Sequence, residues 1–478
     1  MESEKETRIE LHNDKTPGKA SAQTVKSNSV TRMGEAPIGK LLLEMSWPAV
    51  LSMTINAVYN LVDSMFVSRI SESALTAVSY AMPIQMIMIA VSIGSSVGVN
   101  SLIARRLGAR RYEEADQAAS TSIRIGIINA FLFFLMGLLV AGPFIAISTK
   151  SLTENADVIR NYTLSYLRIV CMLNIFNALD LQLEKVLQST GNMKAPMLIS
   201  LTGAITNIIL DPIFIFGLFG MPRLEVAGAA IATVIGQGVA LIVAIYIFRH
   251  KKQDVHIKLR GFKIDWKVVK DIYAVGLPSI LMQSLVSVMN IGFNMILSVS
   301  ATAVAVLGVY FKLQSFVFMP IFGMNQGAMP IMGFNYGARN KKRLMHTYKL
   351  GVVVAACIMT AGFLVFQLLP DRLLGIFNAQ QQMLEMGVPA LRTISLCFIP
   401  AAFGIMTGTL FQATGHGVYS LMTSLIRQLF CILPAAYILF RIGGVTASWY
   451  AFPIAEVVGI IYSVIMLRHL YKTDIKNL

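Results

Sequence analysis

The sequence predicts an all-α integral membrane protein with twelve transmembrane helices in two pseudo-symmetric six-helix lobes. Composition is the first observation: 55% of the 478 residues are hydrophobic, and only 14% are charged. Soluble domains carry roughly 25% charged residues. The second observation is that the apolar runs are long enough for helices rather than barrel strands. The third is an internal repeat, which divides the chain into two similar halves.

Twelve apolar runs follow a polar N-terminal segment. Residues 1–37 carry charges of both signs and no apolar core, which predicts a disordered cytoplasmic tail rather than a signal peptide. We expect an N-terminal lobe at 38–249, a cytoplasmic basic linker at 250–269, a C-terminal lobe at 270–468 and a cytoplasmic tail at 469–478. The runs lie at about 45–68, 80–103, 120–143, 160–184, 195–217, 227–249, 270–298, 304–330, 345–367, 388–410, 420–440 and 446–468.

Basic residues alternate between crowded and nearly bare loops. Four arginines lie within residues 105–111 and eight lysines or arginines within 249–270, whereas the loops on the other side carry little more than Arg223 and Arg441. The positive-inside rule therefore places both termini in the cytoplasm, with the chain crossing a bacterial cell membrane several times. Because the charges belong to short loops, the net charge of +15 does not indicate a nucleic-acid partner.

The two halves repeat recognisable segments. Residues 46–60 (SWPAVLSMTINAVYN) align with 276–290 (GLPSILMQSLVSVMN), and the Gly-Ala-Arg at 108–110 returns at 337–339. Such duplication places a substrate site between the halves near mid-membrane, and it favours an alternating-access transporter over a passive channel. We expect no enzymatic activity and no resident cofactor, because the spans contain neither HExxH nor GxSxG nor a nucleophile–base pair.

The fifth span carries polar residues at membrane depth. Asn207 and Asp211 lie one helical turn apart on the same face, and Pro212 leaves the backbone carbonyl one turn before it without a helical partner. In the sixth span, Thr233 and Gln237 are also one turn apart and offer further oxygen ligands. A carboxylate inside a membrane is costly, so we interpret these residues as a site for a proton or a small hard cation. A packing role for the acid is the alternative.

The first span carries a matching polar stripe. Asn56, Asn60 and Asp63 follow one another at spacings of four and three, so they share a helix face. Asp63 and Asp211 lie at similar depths if both spans run in the same direction. Two carboxylates in one low-dielectric cavity could share a proton, or they could hold Na⁺ between them. The sequence leaves both ions open.

The second half lacks both acids. Asn290 stands where the first half has Asn60, but Phe293 replaces Asp63 and Leu433 replaces Asp211. We therefore expect ion coupling in the first lobe and a partner surface in the second. Gln283 and Asn290 of the second lobe, and Asn56 of the first, are further candidates for the substrate chamber or gate.

Four other charged residues lie within predicted spans. Asp180 and Glu184 belong to the fourth span, Arg427 to the eleventh and Glu456 to the twelfth. Intramembrane charges usually mark a pathway or pair with one another. We therefore interpret these four as residues of the substrate chamber or gate. The alternative for Asp180 and Glu184, near the cytoplasmic end of their span where side chains can reach water, is pairing at the interface. The alternative for Arg427 and Glu456 is mutual pairing.

Several motifs together resemble the MATE (multidrug and toxic compound extrusion) family, and its bacterial DinF/MepA-like branch in particular. They are Asn60-Leu-Val-Asp63, Gln188-Ser-Thr-Gly191, Asn207-Ile-Ile-Leu-Asp211-Pro212 and Asn335-Tyr-Gly-Ala338. The resemblance implies two lobes arranged as a V and an antiporter that exports organic, often cationic and amphipathic compounds in exchange for H⁺ or Na⁺. It also implies that Asp63 and Asp211 couple the ion to transport.

The resemblance leaves one functional alternative, a flippase for lipid-linked oligosaccharides or lipids within the same wider superfamily. Such a protein would favour basic residues in the central cavity, where Arg427 is the candidate. We expect the partners to be small organic substrates, the transported ion and the lipid bilayer, with the protein acting as a monomer.

Overall fold

The computed structural model describes residues 28–150, 155–251, 253–258, 265–377 and 380–478. Helices make up nearly all of this part of the chain. A π-helical segment, Ile426–Ile432, joins α16 to α17, and single 3-10 turns lie at Leu218–Gly220 and Ile475–Asn477. The helices are α1 (Asn28–Glu35), α2 (Ile38–Ser68), α3 (Glu72–Gly108), α4 (Tyr112–Leu139), α5 (Ala141–Ser148), α6 (Ala156–Met172), α7 (Ile175–Ser189), α8 (Lys194–Phe216), α9 (Glu225–His250), α10 (Trp266–Leu297), α11 (Ala301–Gly337), α12 (Lys341–Leu368), α13 (Pro370–Gly375), α14 (Gln381–Ser395), α15 (Phe398–Ala413), α16 (Gly417–Leu425), α17 (Leu433–Ser448) and α18 (Ala451–Thr473).

The described helices supply the twelve spans that the sequence predicts. Ten helical units are long and apolar enough to cross a membrane, with Gly417–Ser448 taken as one unit. Two further spans are pairs of shorter helices, α6 with α7 and α14 with α15, each bent by 46°. The first lobe comprises α2–α9 and the second comprises α10–α18. The all-helical fold with two lobes is therefore confirmed, although the fourth and tenth spans are broken rather than continuous.

The repeat is visible in how corresponding helices begin. Ser71 precedes α3, and its hydroxyl accepts a hydrogen bond from the backbone N–H of Ala74 at 3.1 Å. Ser300 precedes α11, and its hydroxyl accepts from Ala303 at 3.3 Å. Each serine satisfies one backbone donor that the first helical turn leaves free. The two helices have the same length, 37 residues.

The lobes meet at one end of the molecule, which we call the basic end because Arg105, Arg106 and Arg339 lie there. There α2 packs on α11, and α3 packs on both α10 and α11. A Cβ atom added at Gly108 would lie 1.9 Å from the carbonyl oxygen of Phe334, and one added at Gly337 would lie 2.0 Å from that of Arg105. The repeated Gly-Ala-Arg segments thus bring the backbones of the two lobes into direct contact.

The lobe contacts continue only partway along these helices. Gly94 on α3 lies against Ile280 on α10, and Gly323 on α11 lies against Val50 on α2. Farther from the basic end, α2 and α10 expose large apolar side chains such as Val58, Leu61 and Ile291. The described contacts between the lobes are thus concentrated towards the basic end.

Both chain ends carry more structure than the sequence predicts. Residues 1–27 lie outside the described residues, but residues 28–35 form α1, so a disordered tail up to residue 37 is wrong for this part. Met33 is fully buried, and its carbonyl oxygen accepts hydrogen bonds of 3.2 Å from the side chains of Asn335 and Arg343. At the other end α18 continues to Thr473 and Ile475 is buried, so residues 469–478 are not a free tail.

Candidate functional site

A cluster of polar side chains lies inside the first lobe, where α8 packs on α9. The Asn207 amide donates to Asp211 Oδ1 and to Thr233 Oγ1, both at 3.3 Å. The Asp211 side chain is fully buried. The helices approach closely because Gly203 and Gly236 face each other, and a Cβ at Gly236 would lie 2.8 Å from the carbonyl oxygen of Gly203. The structure thus places three predicted residues in one hydrogen-bonded group.

The helix α2 adds a second carboxylate to this group. Asp63 lies near enough to Asp211 for the two side chains to interact electrostatically. Tyr59, one turn before Asp63, lies close to both carboxylates and to Thr233. The two acids therefore belong to one site, which spans α2, α8 and α9.

Two more residues complete the surroundings of Asp63. The Tyr166 hydroxyl on α6 accepts a 2.9 Å hydrogen bond from the Gln85 amide on α3, and the Tyr166 side chain is buried near Asp63. We call Tyr59, Asp63, Tyr166, Asn207, Asp211 and Thr233 the acidic cluster. Tyr59, Gln85 and Tyr166 are not among the residues predicted from the sequence, although the four-residue spacing of Tyr59 from Asp63 places both on one helix face.

Several acceptor atoms of the acidic cluster lack a donor. Within the described residues, Asp63 Oδ1, Asn207 Oδ1 and Asp211 Oδ2 are buried and have no hydrogen-bond partner. A buried acceptor without a partner costs about 1–3 kcal/mol, and more when it is charged. Oxygens arranged in this way attract a proton or a hard cation that prefers oxygen ligands. No group of three or more His, Cys, Asp or Glu side chains suited to a metal occurs in the described ranges, so Na⁺ would have to use neutral oxygens as well.

A polar cavity of ≈ 190 Å³ leads away from the acidic cluster towards the basic end. Its wall includes Asn56 and Gln237, together with Asp180 and Glu184 from α7. Both acids are buried, and Glu184 Oε1 accepts a 2.6 Å hydrogen bond from the Ser200 hydroxyl. The predicted chamber or gate residues of the fourth span therefore face the interior of the first lobe.

The neighbouring Lys185 connects this region to the other lobe. Its ammonium group is buried, and it donates to Gln188 Oε1 at 2.8 Å and to Gln326 Oε1 at 2.9 Å. Gln326 belongs to α11, so this hydrogen bond crosses the contact between the lobes. It would have to break for the lobes to separate at the basic end.

Asn60, Gln283 and Asn290 lie outside both the acidic cluster and the adjoining polar cavity. Asn60 is exposed, and its amide donates to the backbone carbonyl of Asn56 at 2.7 Å instead of reaching the acids. Gln283 is exposed on α10, and Asn290 is half-buried with an Oδ1 atom that has no partner within the described chain. The structure therefore does not bring Asn60 to the site that the sequence assigned to it.

The second lobe has an aromatic core where the first has the acids. Phe293 is fully buried, with its ring 5.9 Å from that of Trp449 and 4.9 Å from that of Phe452. Leu433 packs beside it against Gly292. These side chains are apolar and closely packed, so this part of the second lobe offers no ligands for an ion.

Two charged residues within the spans of the second lobe form an ion pair. Arg427 Nη1 lies 3.1 Å from Glu456 Oε2, and the Glu456 side chain is buried. Arg427 belongs to the π-helical segment, a rare local winding that often occurs at functional positions. Of the two roles considered for Arg427 and Glu456, the structure shows the pairing.

Comparisons with known proteins agree with this architecture. The family model described as MatE matches residues 48–213 and 278–438, one segment in each lobe. The chain is 26% identical over 436 residues to the multidrug export protein MepA of Staphylococcus haemolyticus, covering 91% of this chain and 94% of that protein.

Solved structures share the fold. An outward-facing MATE multidrug resistance transporter superposes with a TM-score of 0.84 at 28% identity, covering 94% of this chain and 99% of the other. A transporter from Pyrococcus furiosus, described as having a binding pocket of reverse polarity that suggests a different function, gives a TM-score of 0.83 at 27% identity, with 94% and 99% covered. One fold thus carries pockets of different polarity, so the substrate has to be argued from the site.

Proposed function

The chain belongs to the MATE family of transporters, and we propose that it is a secondary active antiporter that exports organic, often cationic and amphipathic compounds in exchange for H⁺ or Na⁺. The observation that carries this proposal is the acidic cluster, with its unpartnered carboxylate oxygens on Asp63 and Asp211. The MepA relatives are named multidrug export proteins, which supports the substrate class.

The position of α2 suggests how an ion would be coupled to the lobes. This helix carries Asp63, packs on α8 beside Asp211, and on its other side packs on α11 of the second lobe. Binding of a cation between the two carboxylates would remove their repulsion and favour close packing of α2 on α8. Any change in the position of α2 also alters its contact with α11, so the ion and the opening between the lobes would be linked.

The same arrangement suggests how the exported compound would be held. We place the exported compound in an opening between the lobes, on the side away from the basic end, where α2 and α10 expose apolar side chains. Nearby carboxylates attract cations without requiring one shape. We place both termini in the cytoplasm of a bacterial cell, as the loop charges favour. The opening between the lobes then faces outwards. A flippase is less well supported, because Arg427, the basic residue on which it relied, is paired with Glu456.

Uptake of a fluorescent organic cation into inverted membrane vesicles tests the proposal. A pH gradient and a Na⁺ gradient are imposed separately, each in the absence of the other. We expect one of the two gradients to drive accumulation and collapse of that gradient to release the dye. Equal accumulation with no gradient, or none under either gradient with several dyes, would contradict an ion-coupled exporter.

A further inference from the structure

We propose that the basic end of the first lobe binds an anionic phospholipid in a cavity whose lining includes no residue of the acidic cluster. The cavity has a volume of ≈ 680 Å³, within the range of about 300–1,000 Å³ that small-molecule pockets occupy. Helices α4, α7 and α9, with residue 251 and residues 253–257, enclose it. This inference is independent of the transported ion and of the exported compound.

The inner part of the cavity is apolar. Leu179 and Leu183 from α7, and Leu241 and Ile245 from α9, line it with hydrocarbon side chains. The lining follows α9 from Leu241 to Arg249, a separation of eight residues that corresponds to about 12 Å along a helix axis. Ile245 is also partly exposed on the outer surface of α9. The cavity is therefore suited to part of an acyl chain that enters from the side of the bilayer.

The rim of the cavity is basic. Arg249, Lys251 and His256 line it where α9 ends, and all three are exposed. None of the lining residues, all within the described part of the chain, is acidic. Asp116 lies outside the lining, with its Oδ2 atom 3.8 Å from His256 Nδ1. Two permanent positive charges therefore stand beside an apolar groove, the charge pattern that complements a phosphate headgroup with attached acyl chains.

The wall formed by the linker is held in place by hydrogen bonds. The backbone N–H of His256 donates to Asp116 Oδ1 at 2.7 Å, and that of Lys258 donates to the Ser120 hydroxyl at 2.9 Å. The Gln253 amide donates to the carbonyl oxygen of Ile247 at 3.1 Å, and Val255 is buried. These contacts fix the segment that follows α9 against α4. The basic rim thus has a defined position relative to the apolar groove.

The combination of groove and rim selects among possible occupants. A soluble anion would use the basic rim but not the apolar lining, and a zwitterionic lipid would use the lining while gaining less from the rim. An organic cation would be repelled by Arg249 and Lys251. A phospholipid with net negative charge uses both parts, and its headgroup lies naturally where a membrane helix ends.

Native mass spectrometry of the purified full-length protein tests the proposal. The protein is titrated with dioleoyl phosphatidylglycerol or with dioleoyl phosphatidylcholine, and the first bound lipid is quantified. We expect the anionic lipid to bind at least about tenfold more tightly. Replacing both cations (Arg249→Gln with Lys251→Gln) should weaken its binding by about 30-fold, from two lost basic contacts at the membrane surface.

Matched variants distinguish lipid binding at this cavity from a general effect of positive surface charge. Lys342→Gln with Lys349→Gln removes the same charge from exposed positions on α12 and should leave the first lipid unchanged. Ile245→Trp should displace the lipid by filling the groove while both cations remain. Equal weakening by both pairs, equal affinity for the two lipids, or full competition by inorganic phosphate would overturn the proposal. Gel filtration of each variant confirms that it remains folded.

Discussion

Replacing Gly337 with alanine should force the two lobes apart at the basic end. The new Cβ would lie 2.0 Å from the carbonyl oxygen of Arg105, whereas ordinary contact begins at 3.4 Å, so the backbones must separate by about 1.4 Å. The neighbour is backbone and has no rotamer with which to move away. Overpacking of this kind costs about 1–3 kcal/mol. Because the strain exists only while the lobes touch, it should shift the conformational equilibrium by about 5- to 150-fold.

The shift can be measured through a cysteine placed in the lobe contact. Ser101 is buried, and its hydroxyl donates to the carbonyl oxygen of Gln412 in the other lobe at 2.5 Å. Ser101→Cys, in a protein whose four native cysteines have been replaced, should react with a maleimide slowly. When Gly337→Ala is introduced into the same detergent-solubilised protein, the labelling rate should rise by about 5- to 150-fold.

The matched control is Gly308→Ala, on the same helix. A Cβ at Gly308 meets nothing within 4 Å, so this change should leave the labelling rate unaltered. Equal labelling rates in the two alanine variants, with both proteins folded, would refute the idea that the glycine contact holds the lobes together. The same result would show that the backbone contact at Gly337 does not determine whether the lobes touch at the basic end.

Three further variants test the ion pair between the lobes, the aromatic core of the second lobe and the membrane topology. Asp271→Asn removes the 2.8 Å pair with Arg106 between the lobes and should make labelling of Ser101→Cys less dependent on salt; an unchanged salt response would count against the pair. Phe293→Asp should lower the yield and melting temperature far more than Phe293→Leu, whereas a well-folded variant that exchanges more ions per substrate would reveal a second ion site. A cysteine at Gln253 should resist membrane-impermeant maleimides on intact cells, and rapid labelling would reverse the proposed topology.

Local spacing was enough to locate the two acids. Residues four apart lie on the same face of any α-helix, so the spacing of Asn207 and Asp211 is enough to predict that they are neighbours. The similar depths of Asp63 and Asp211 followed from counting residues along two helices. The sequence also predicted that the second lobe lacks an acid at the position of Phe293. In the structure this side chain packs in an aromatic core.

Contacts between residues far apart in the chain could not be predicted from the sequence. Tyr166 reaches Asp63 only because α6 packs inside the lobe, and an aromatic residue in a span is more often core than site. The short helix α1 has buried Val30 and Met33, a pattern too brief to distinguish from a polar tail. Asn60 shows the reverse: its spacing from Asp63 was suitable, but its amide is satisfied by its own helix backbone.

The two bent spans illustrate a further limit. The break between α6 and α7 falls at Leu173 and Asn174, where no proline or glycine interrupts the apolar run. The bend places Asp180 and Glu184 against the interior of the lobe instead of near water. Their burial depends on this tertiary arrangement, so a linear count of residues from the membrane surface could not have found it.

Whether Asp211 couples the ion to transport is tested by measuring substrate binding and transport in one variant, Asp211→Asn. Asparagine keeps the shape and a hydrogen-bonding side chain but removes the ionisable group, and loss of a buried charge is seldom destabilising. Proteoliposomes with wild-type or variant protein are given the gradient that drives the wild type, and substrate accumulation and equilibrium substrate binding are both measured. We expect the variant to bind substrate yet accumulate none above the gradient-free level. Full gradient-driven accumulation by Asp211→Asn would contradict ion coupling at this site.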